Sequence, residues 1–175
     1  MYLSQINFNN FRCLKDSKLL FGKDFNLIYG KNGQGKTSLI EAVYFVATGK
    51  SFRTKKVKEM RKYNFHRMIV FGKFERNDGD KTIAIDVNEE KKEYYIDKNK
   101  NKYIDYIGNL NVISFIPEDI ELIVGNPNIR RGFFNYEISQ ARKDYLKSIV
   151  SFEKILKVRN KLIKEKKTYE EIYKI

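Results

Sequence analysis

Eight consecutive residues constrain this chain more than any others: Gly30, Lys31, Asn32, Gly33, Gln34, Gly35, Lys36 and Thr37. They satisfy the pattern G-x-x-x-x-G-K-[ST] at every constrained position. The flanks agree. Residues 25–29 form a short, mostly apolar run that reads as a buried strand ending at Gly30. Residues 38–47 read as a helix, with Leu39, Ala42, Val43 and Val46 at three- and four-residue spacing on one face. Strand, glycine-rich turn and helix together make a cradle for a phosphate chain. Glycines let backbone N–H groups approach phosphate oxygens with no Cβ in the way. The positive end of the helix adds a fixed partial charge. On this reading Lys36 reaches the β- and γ-phosphates of ATP, and the Thr37 hydroxyl ligates Mg²⁺.

The 175 residues suffice for one good core, or for one domain and part of another. No run approaches the roughly 18 apolar residues of a membrane span, and the mixed, polar residues 1–20 do not make a signal peptide. A cytoplasmic chain with no membrane partner is therefore expected. The lone Cys13 forms no internal disulfide and suits the same reducing compartment. Cys13 reads as a packed small residue rather than a nucleophile. With one histidine, His66, and one cysteine, a zinc site is not expected. The net charge of +13 favours a polyanionic partner such as nucleic acid, although charge alone does not name one.

Strand-like runs cover residues 2–8, 17–21, 68–75, 81–87 and 93–97, with turn-like connectors at 77–80 and 88–91. Residues 112–116 form a further apolar run, stopped by Pro117. No glycine or proline follows Gly132, and Phe134, Ile138, Ala141, Tyr145, Ile149, Phe152 and Leu156 step by three or four along one helical face. The shift from strands to helices places a lobe boundary near residue 117, giving an ATP-binding lobe at 1–116 and the start of a helical lobe at 117–175. Phe52 and Phe134 read as core, and residues 161–167 as a solvated, lysine-rich helix face. Between residues 50 and 62, Lys50, Arg53, Lys55, Lys56, Lys58, Arg61 and Lys62 are opposed only by Glu59. With few aromatics among them they suit the backbone of duplex DNA better than stacked single strands, or else form a solvated lysine face.

Several of these stretches resemble a known family. Asn10-Phe11-Arg12, and the run from Asn32 through Lys36-Thr37-Ser38 to Glu41-Ala42, are similar to the heads of SMC-like ATPases, a branch of the ABC class. Residues 48–54, and residues 115–123 with Gly125, Pro127, Arg130, Arg131, Phe133 and Phe134, resemble the RecF family specifically. So do residues 156–162 with Arg159 and Asn160. The resemblance implies an α/β P-loop NTPase of ABC head type, incomplete here, with a mixed-sheet lobe followed by a helical lobe. It implies a DNA replication and repair ATPase that loads recombinase at single-strand gaps in the SOS response. Such a protein would work with RecR and RecO, dimerise head to head around ATP, and bind duplex DNA. It also implies that Arg12 and Arg53 reach the nucleotide phosphates, the alternative being a surface salt bridge. Arg130 and Arg131 could contact DNA, a partner lobe or the start of the following helix.

There are departures. Asn135 stands where the family usually carries Asp. Members of the family run to about twice this length, and the acidic Walker B strand and the ABC signature belong to the half not seen here, so an N-terminal portion is expected. Asp86, Glu118 and Asp119 are the first residues to test should a hydrolytic carboxylate lie within the chain. Two other function classes compete: a P-loop kinase phosphorylating a small molecule, and a nucleotide-binding scaffold that does not hydrolyse.

Overall fold

The computed structural model describes residues 1–77 and 79–165. Asp78 of the first connector, and Lys166 and Lys167 of the lysine-rich tail, lie outside the described residues. The chain forms two compact units, Met1–Ile116 and a second beginning at Pro117.

The first unit is built on β1 (Tyr2–Asn9), β2 (Ser17–Leu20), β3 (Arg67–Arg76), β4 (Gly79–Asn88), β5 (Lys91–Ile96) and β6 (Asn99–Asn101). These make one six-stranded sheet in the order β2-β1-β3-β4-β5-β6, antiparallel at every pairing. Alternation explains why one face is covered. Ile6 and Phe8 of β1, Met68, Val70 and Phe74 of β3, and Ile83, Ile85 and Val87 of β4 all turn into the core, and the residues between them turn away. The register pairs Phe8 with Val70 and Val70 with Ile85, so the apolar rows line up across the sheet.

Helix α1 (Lys36–Thr48) lies on this face, burying Ala42, Phe45 and Val46. Gly72 allows the close approach: a Cβ there would sit 3.4 Å from Val46 Cγ1 and 3.2 Å from Leu3 Cδ1. The helix ends at Gly49, whose left-handed φ of 70° lets its N–H return to the Phe45 carbonyl at 2.7 Å. Three side chains then meet the last carbonyls. The Lys92 ammonium donates to Gly49 O at 2.7 Å, the Tyr103 hydroxyl to Thr48 O at 3.1 Å, and the Tyr106 hydroxyl to Val46 O. Tyr103 and Tyr106 come from α2 (Tyr103–Tyr106), a single turn after β6. With its C-terminal end fixed in this way, α1 holds its N-terminus at the glycine-rich loop.

One expectation fails in this unit. Residues 25–29 form no strand, and Phe25, Leu27 and Tyr29 are exposed. A central strand needs ladder partners for its backbone groups, and no described strand pairs with this run. The loop is tied instead by Asn26, whose side chain accepts from Gly22 N at 2.7 Å and donates to Gly22 O at 2.9 Å. The apolar run at 112–116 lies outside the named strands, as its stop at Pro117 suits, and Phe115 is 93% exposed.

The second unit holds a 3-10 turn (Pro117–Ile120), α3 (Glu121–Val124), α4 (Pro127–Ala141) and α5 (Lys143–Lys164). Pro127 opens α4, and the Asn126 side chain caps it by accepting from Asn128 N at 2.9 Å. The long helical face expected from 134 to 156 is broken. Arg142 adopts extended φ −133° and ψ 104°, ending α4 and starting α5. Leu146 is buried near that break, whereas Phe134, expected in the core, is exposed. Asn135 Oδ1 accepts from the Tyr145 hydroxyl at 2.6 Å, joining α4 to α5. Arg130 serves the helix start: its guanidinium donates to Gly125 O at 2.8 Å and more loosely to the Leu122 and Ile123 carbonyls, closing the end of α3. Arg131 bonds Asn128 within the first turn of α4.

Candidate functional site

Gly30, Gly33 and Gly35 carry φ of 146°, 80° and 91°, conformations that L side chains rarely adopt. Gly35 is also the N-cap of α1, so the loop runs directly into the helix. A Cβ at Gly35 would come within 2.8 Å of Leu14 Cδ2, and one at Gly30 within 2.8 Å of Gln34 Oε1. The Lys36 ammonium folds back over the loop and donates to Gly30 O and Lys31 O, both at 2.8 Å. This closes the loop into a ring and leaves the ammonium one further N–H.

A cavity of about 300 Å³ opens beside the ring, lined by Cys13, Asn32, Gly33, Gly35, Lys36, Thr37, Ser38 and Arg53. A second, of about 520 Å³, lies against Gly33, Gln34, Gly35 and Lys36, with Phe8, Leu14, Leu19, Ile28 and Tyr29 among its other walls. Lysine, arginine, two hydroxyls and the start of a helix form a donor set suited to an anion with several oxygens. Thr37 supplies a hydroxyl of the kind that ligates Mg²⁺. Among the described residues no three His, Cys, Asp or Glu side chains cluster to hold a metal by themselves. Cys13 is exposed rather than packed, with Sγ 4.0 Å from Ser38 Oγ at the cavity wall.

The two arginines expected at the phosphates converge on a residue that sequence reasoning did not single out. Glu41, fully buried on α1, receives Arg12 Nε at 2.9 Å on Oε2 and Arg12 Nη2 at 2.6 Å on Oε1. Arg53 Nη1 stands 3.3 Å from Oε2, and Ser51 Oγ donates to Oε1 at 2.5 Å. Arg12 also donates to the Glu59 carbonyl, and its backbone, at a left-handed φ of 50°, is held by its N–H on Met60 O at 2.8 Å. Arg53 lines the smaller cavity; Arg12 is not among the residues that do. A signal was present in the sequence. Ser38, Glu41, Phe45 and Thr48 recur at helical spacing on the buried face of α1, and a carboxylate there needs cationic partners.

The basic segment divides by role. Lys50, Lys55, Lys56 and Lys58 are exposed, Lys56 lying 3.3 Å from Glu59. Lys62 sits over the Phe65 ring. Arg61 is a structural latch: Nη1 donates to His66 O at 2.9 Å and to Glu89 O at 2.6 Å, which pins this segment to the β4–β5 turn. Among the hydrolytic candidates, Asp86 is held by Arg67 across β3 and β4, with Nε at 2.9 Å from Oδ1. Glu118 and Asp119 belong to the 3-10 turn of the second unit. No described helix is long and apolar enough to cross a membrane.

The chain is similar to known proteins in sequence and in fold. The family model of the AAA domain matches residues 5–175. The DNA replication and repair protein RecF of Clostridioides difficile (strain 630) is 38% identical over 165 residues, which are 94% of this chain and 44% of that protein. A solved structure of the recombination mediator protein RecF with ATP, in the RecFOR pathway, superposes with a TM-score of 0.87 at 36% identity, covering 94% of this chain and 45% of that one. The SMC head domain from Thermotoga maritima shares the fold, with a TM-score of 0.51 at 23% identity over 60% of this chain and 40% of that one. The chain thus spans about half the length of the RecF relatives it matches.

Proposed function

This chain belongs to the AAA domain family and is homologous to RecF proteins, and from that premise we propose that it binds ATP with Mg²⁺ on its glycine-rich loop and couples that binding to duplex DNA. Lys36, Thr37 and Arg53 hold the phosphates in the smaller cavity, and the apolar walls of the larger one suit the base and sugar. Thr37 is the protein ligand to Mg²⁺. Lys50, Lys55, Lys56, Lys58 and Lys62 face DNA phosphates, whereas Arg61 supports them from below. Within a whole RecF-type protein this unit would dimerise on ATP and act at single-strand gaps with RecR and RecO to load recombinase.

One observation carries the reading: Lys36, Thr37 and Arg53 line a single cavity at the start of α1. A kinase would in addition need an acceptor site beside that cavity. Titration of a fluorescent ATP analogue into wild type and Lys36→Ala tests the assignment. Loss of a charged hydrogen-bond donor to phosphate is worth about 1.5–3 kcal/mol, so the variant is expected to bind roughly 10- to 100-fold more weakly. Equal affinities would overturn the reading.

A further inference from the structure

Glu41 is a buried carboxylate facing two guanidiniums, and one negative charge cannot satisfy both equally. The division is visible in the geometry. Arg12 takes the two-pronged contact at 2.9 and 2.6 Å, and its side chain is only 17% exposed. Arg53 is left with a single contact at 3.3 Å, and its side chain is 44% exposed. Arg53 is also the arginine that lines the phosphate cavity. A polyphosphate entering that cavity carries more charge than a carboxylate already shared, and it competes for Arg53 alone. Arg12 stays in place.

The same carboxylate reaches the basic segment by a second route. Ser51 Oγ donates to Glu41 and accepts from Arg53 N at 2.9 Å and Thr54 N at 3.1 Å, folding residues 51–54 into a turn. The Thr54 hydroxyl then bonds the Glu59 carboxylate, and Thr54 Oγ1 accepts from Lys56 N at 3.1 Å. Movement of the Arg53 side chain toward the cavity pulls on a residue whose backbone hangs from Ser51.

From this arrangement we infer that Glu41 is a positioning residue that couples the nucleotide cavity to the basic segment. It holds Arg12 as a fixed strut, yields Arg53 to phosphate, and passes the change through Ser51 to the lysines at 55–58. The inference rests on the proposed binding of ATP and duplex DNA. It adds the residue through which each ligand alters affinity for the other, and by linkage the effect is the same in both directions.

The test uses the whole chain and two variants, Glu41→Gln, which keeps the shape but removes the charge and turns one of the two acceptor oxygens into a donor, and Ser51→Ala, which cuts the link to the turn. A non-hydrolysable ATP analogue is titrated into each protein, and a short fluorescent duplex is titrated with and without it. Adenosine, which has no phosphate, serves as the comparison ligand. In wild type the analogue is expected to change duplex affinity about fivefold or more, within the usual range of coupling, and adenosine is not. In both variants that change is expected to fall to about twofold or less. Affinity for the analogue alone is expected to hold in Ser51→Ala, and to hold or tighten in Glu41→Gln, where Arg53 loses its charged competitor. A merely structural Glu41 would instead weaken nucleotide binding. Variants that keep the wild-type coupling, or that lose nucleotide binding along with it, would overturn the inference. If Glu41→Gln fails to fold, Ser51→Ala decides alone. A wild type that binds both ligands without coupling overturns the inference and leaves the proposed function standing. A wild type that binds neither overturns both.

Discussion

Glu41 and its arginines set the energetics at the scale of single residues. Removing one member of a buried ion pair leaves an uncompensated charge in a poor solvent, at about 3–5 kcal/mol. Glu41→Ala is therefore expected to lower stability by that amount, read as a shift of the urea midpoint without change of slope. The two arginines are expected to separate. Arg12→Ala removes the strut, with its bond to the Glu59 carbonyl, and destabilises the fold strongly. Arg53→Ala removes a half-exposed, single contact, worth about 1 kcal/mol or less to stability. Its effect is expected on ATP-analogue affinity instead. Urea melts and nucleotide titrations on both variants check the split, and equal destabilisation by the two would contradict it.

At the scale of elements, α1 is held at its C-terminal end by donors from β5 and α2. Tyr103 and Tyr106 lie against Tyr94, with ring centroids 5.3 and 5.0 Å away. Burial raises the phenol pKa of Tyr94, Tyr103 and Tyr106 above the ordinary value of 10.0. The sign follows from linkage. The folded pKa is raised, so the contribution is full below about pH 10 and is lost as pH rises and the unfolded phenols ionise. Stability is expected to fall steeply above pH 10, and the phenolate absorbance of these rings is expected to appear only with unfolding. Tyr103→Phe removes the bond to Thr48 O, worth about 1 kcal/mol, and is expected to soften the alkaline transition. The segment at 50–62 is tested by salt. Removing one lysine–phosphate interaction reduces the slope of log affinity against log salt by about one. Lys55→Ala with Lys56→Ala is thus expected to weaken all duplex sequences alike. Arg61→Ala is expected to lower stability, since its partners are backbone carbonyls within the fold.

At the scale of the whole molecule, the described residues that line the two cavities at the glycine-rich loop include no aspartate or glutamate. Asp86 is engaged by Arg67. Hydrolysis needs a group to orient water at the γ-phosphate. Phosphate release is expected to match the Lys36→Ala control, and release abolished by that substitution would show a catalytic carboxylate within these residues. The exposed apolar side chains of Phe25, Leu27, Ile113 and Phe115 have a separate consequence, because apolar runs without a ladder or a cover promote association. Leu27→Lys is expected to reduce light scattering of the isolated chain while leaving its nucleotide affinity within about twofold, since the cavity walls at 32–38 are untouched.

What the sequence determined by itself was local. The glycine spacing around Lys36 fixed a loop whose backbone only glycine adopts readily, and period-two apolar rows fixed β1, β3 and β4. The helix read at 38–47 is there as well, beginning slightly earlier, at Lys36. Tertiary structure decided whatever depended on a distant partner. Residues 25–29 have the composition of a buried strand, yet a strand exists only where another strand takes up its hydrogen bonds. The run from Phe134 to Leu156 keeps helical period across Arg142, and period does not register a break made by one extended residue. Glu41 looked like one more position in a family motif, because a carboxylate on a helix carries no local mark of burial. Its meaning came from Arg12, 29 residues before it, and from Ser51 and Arg53 after α1 ends. Folding brought those charges to one buried oxygen pair, where low dielectric makes their sharing matter.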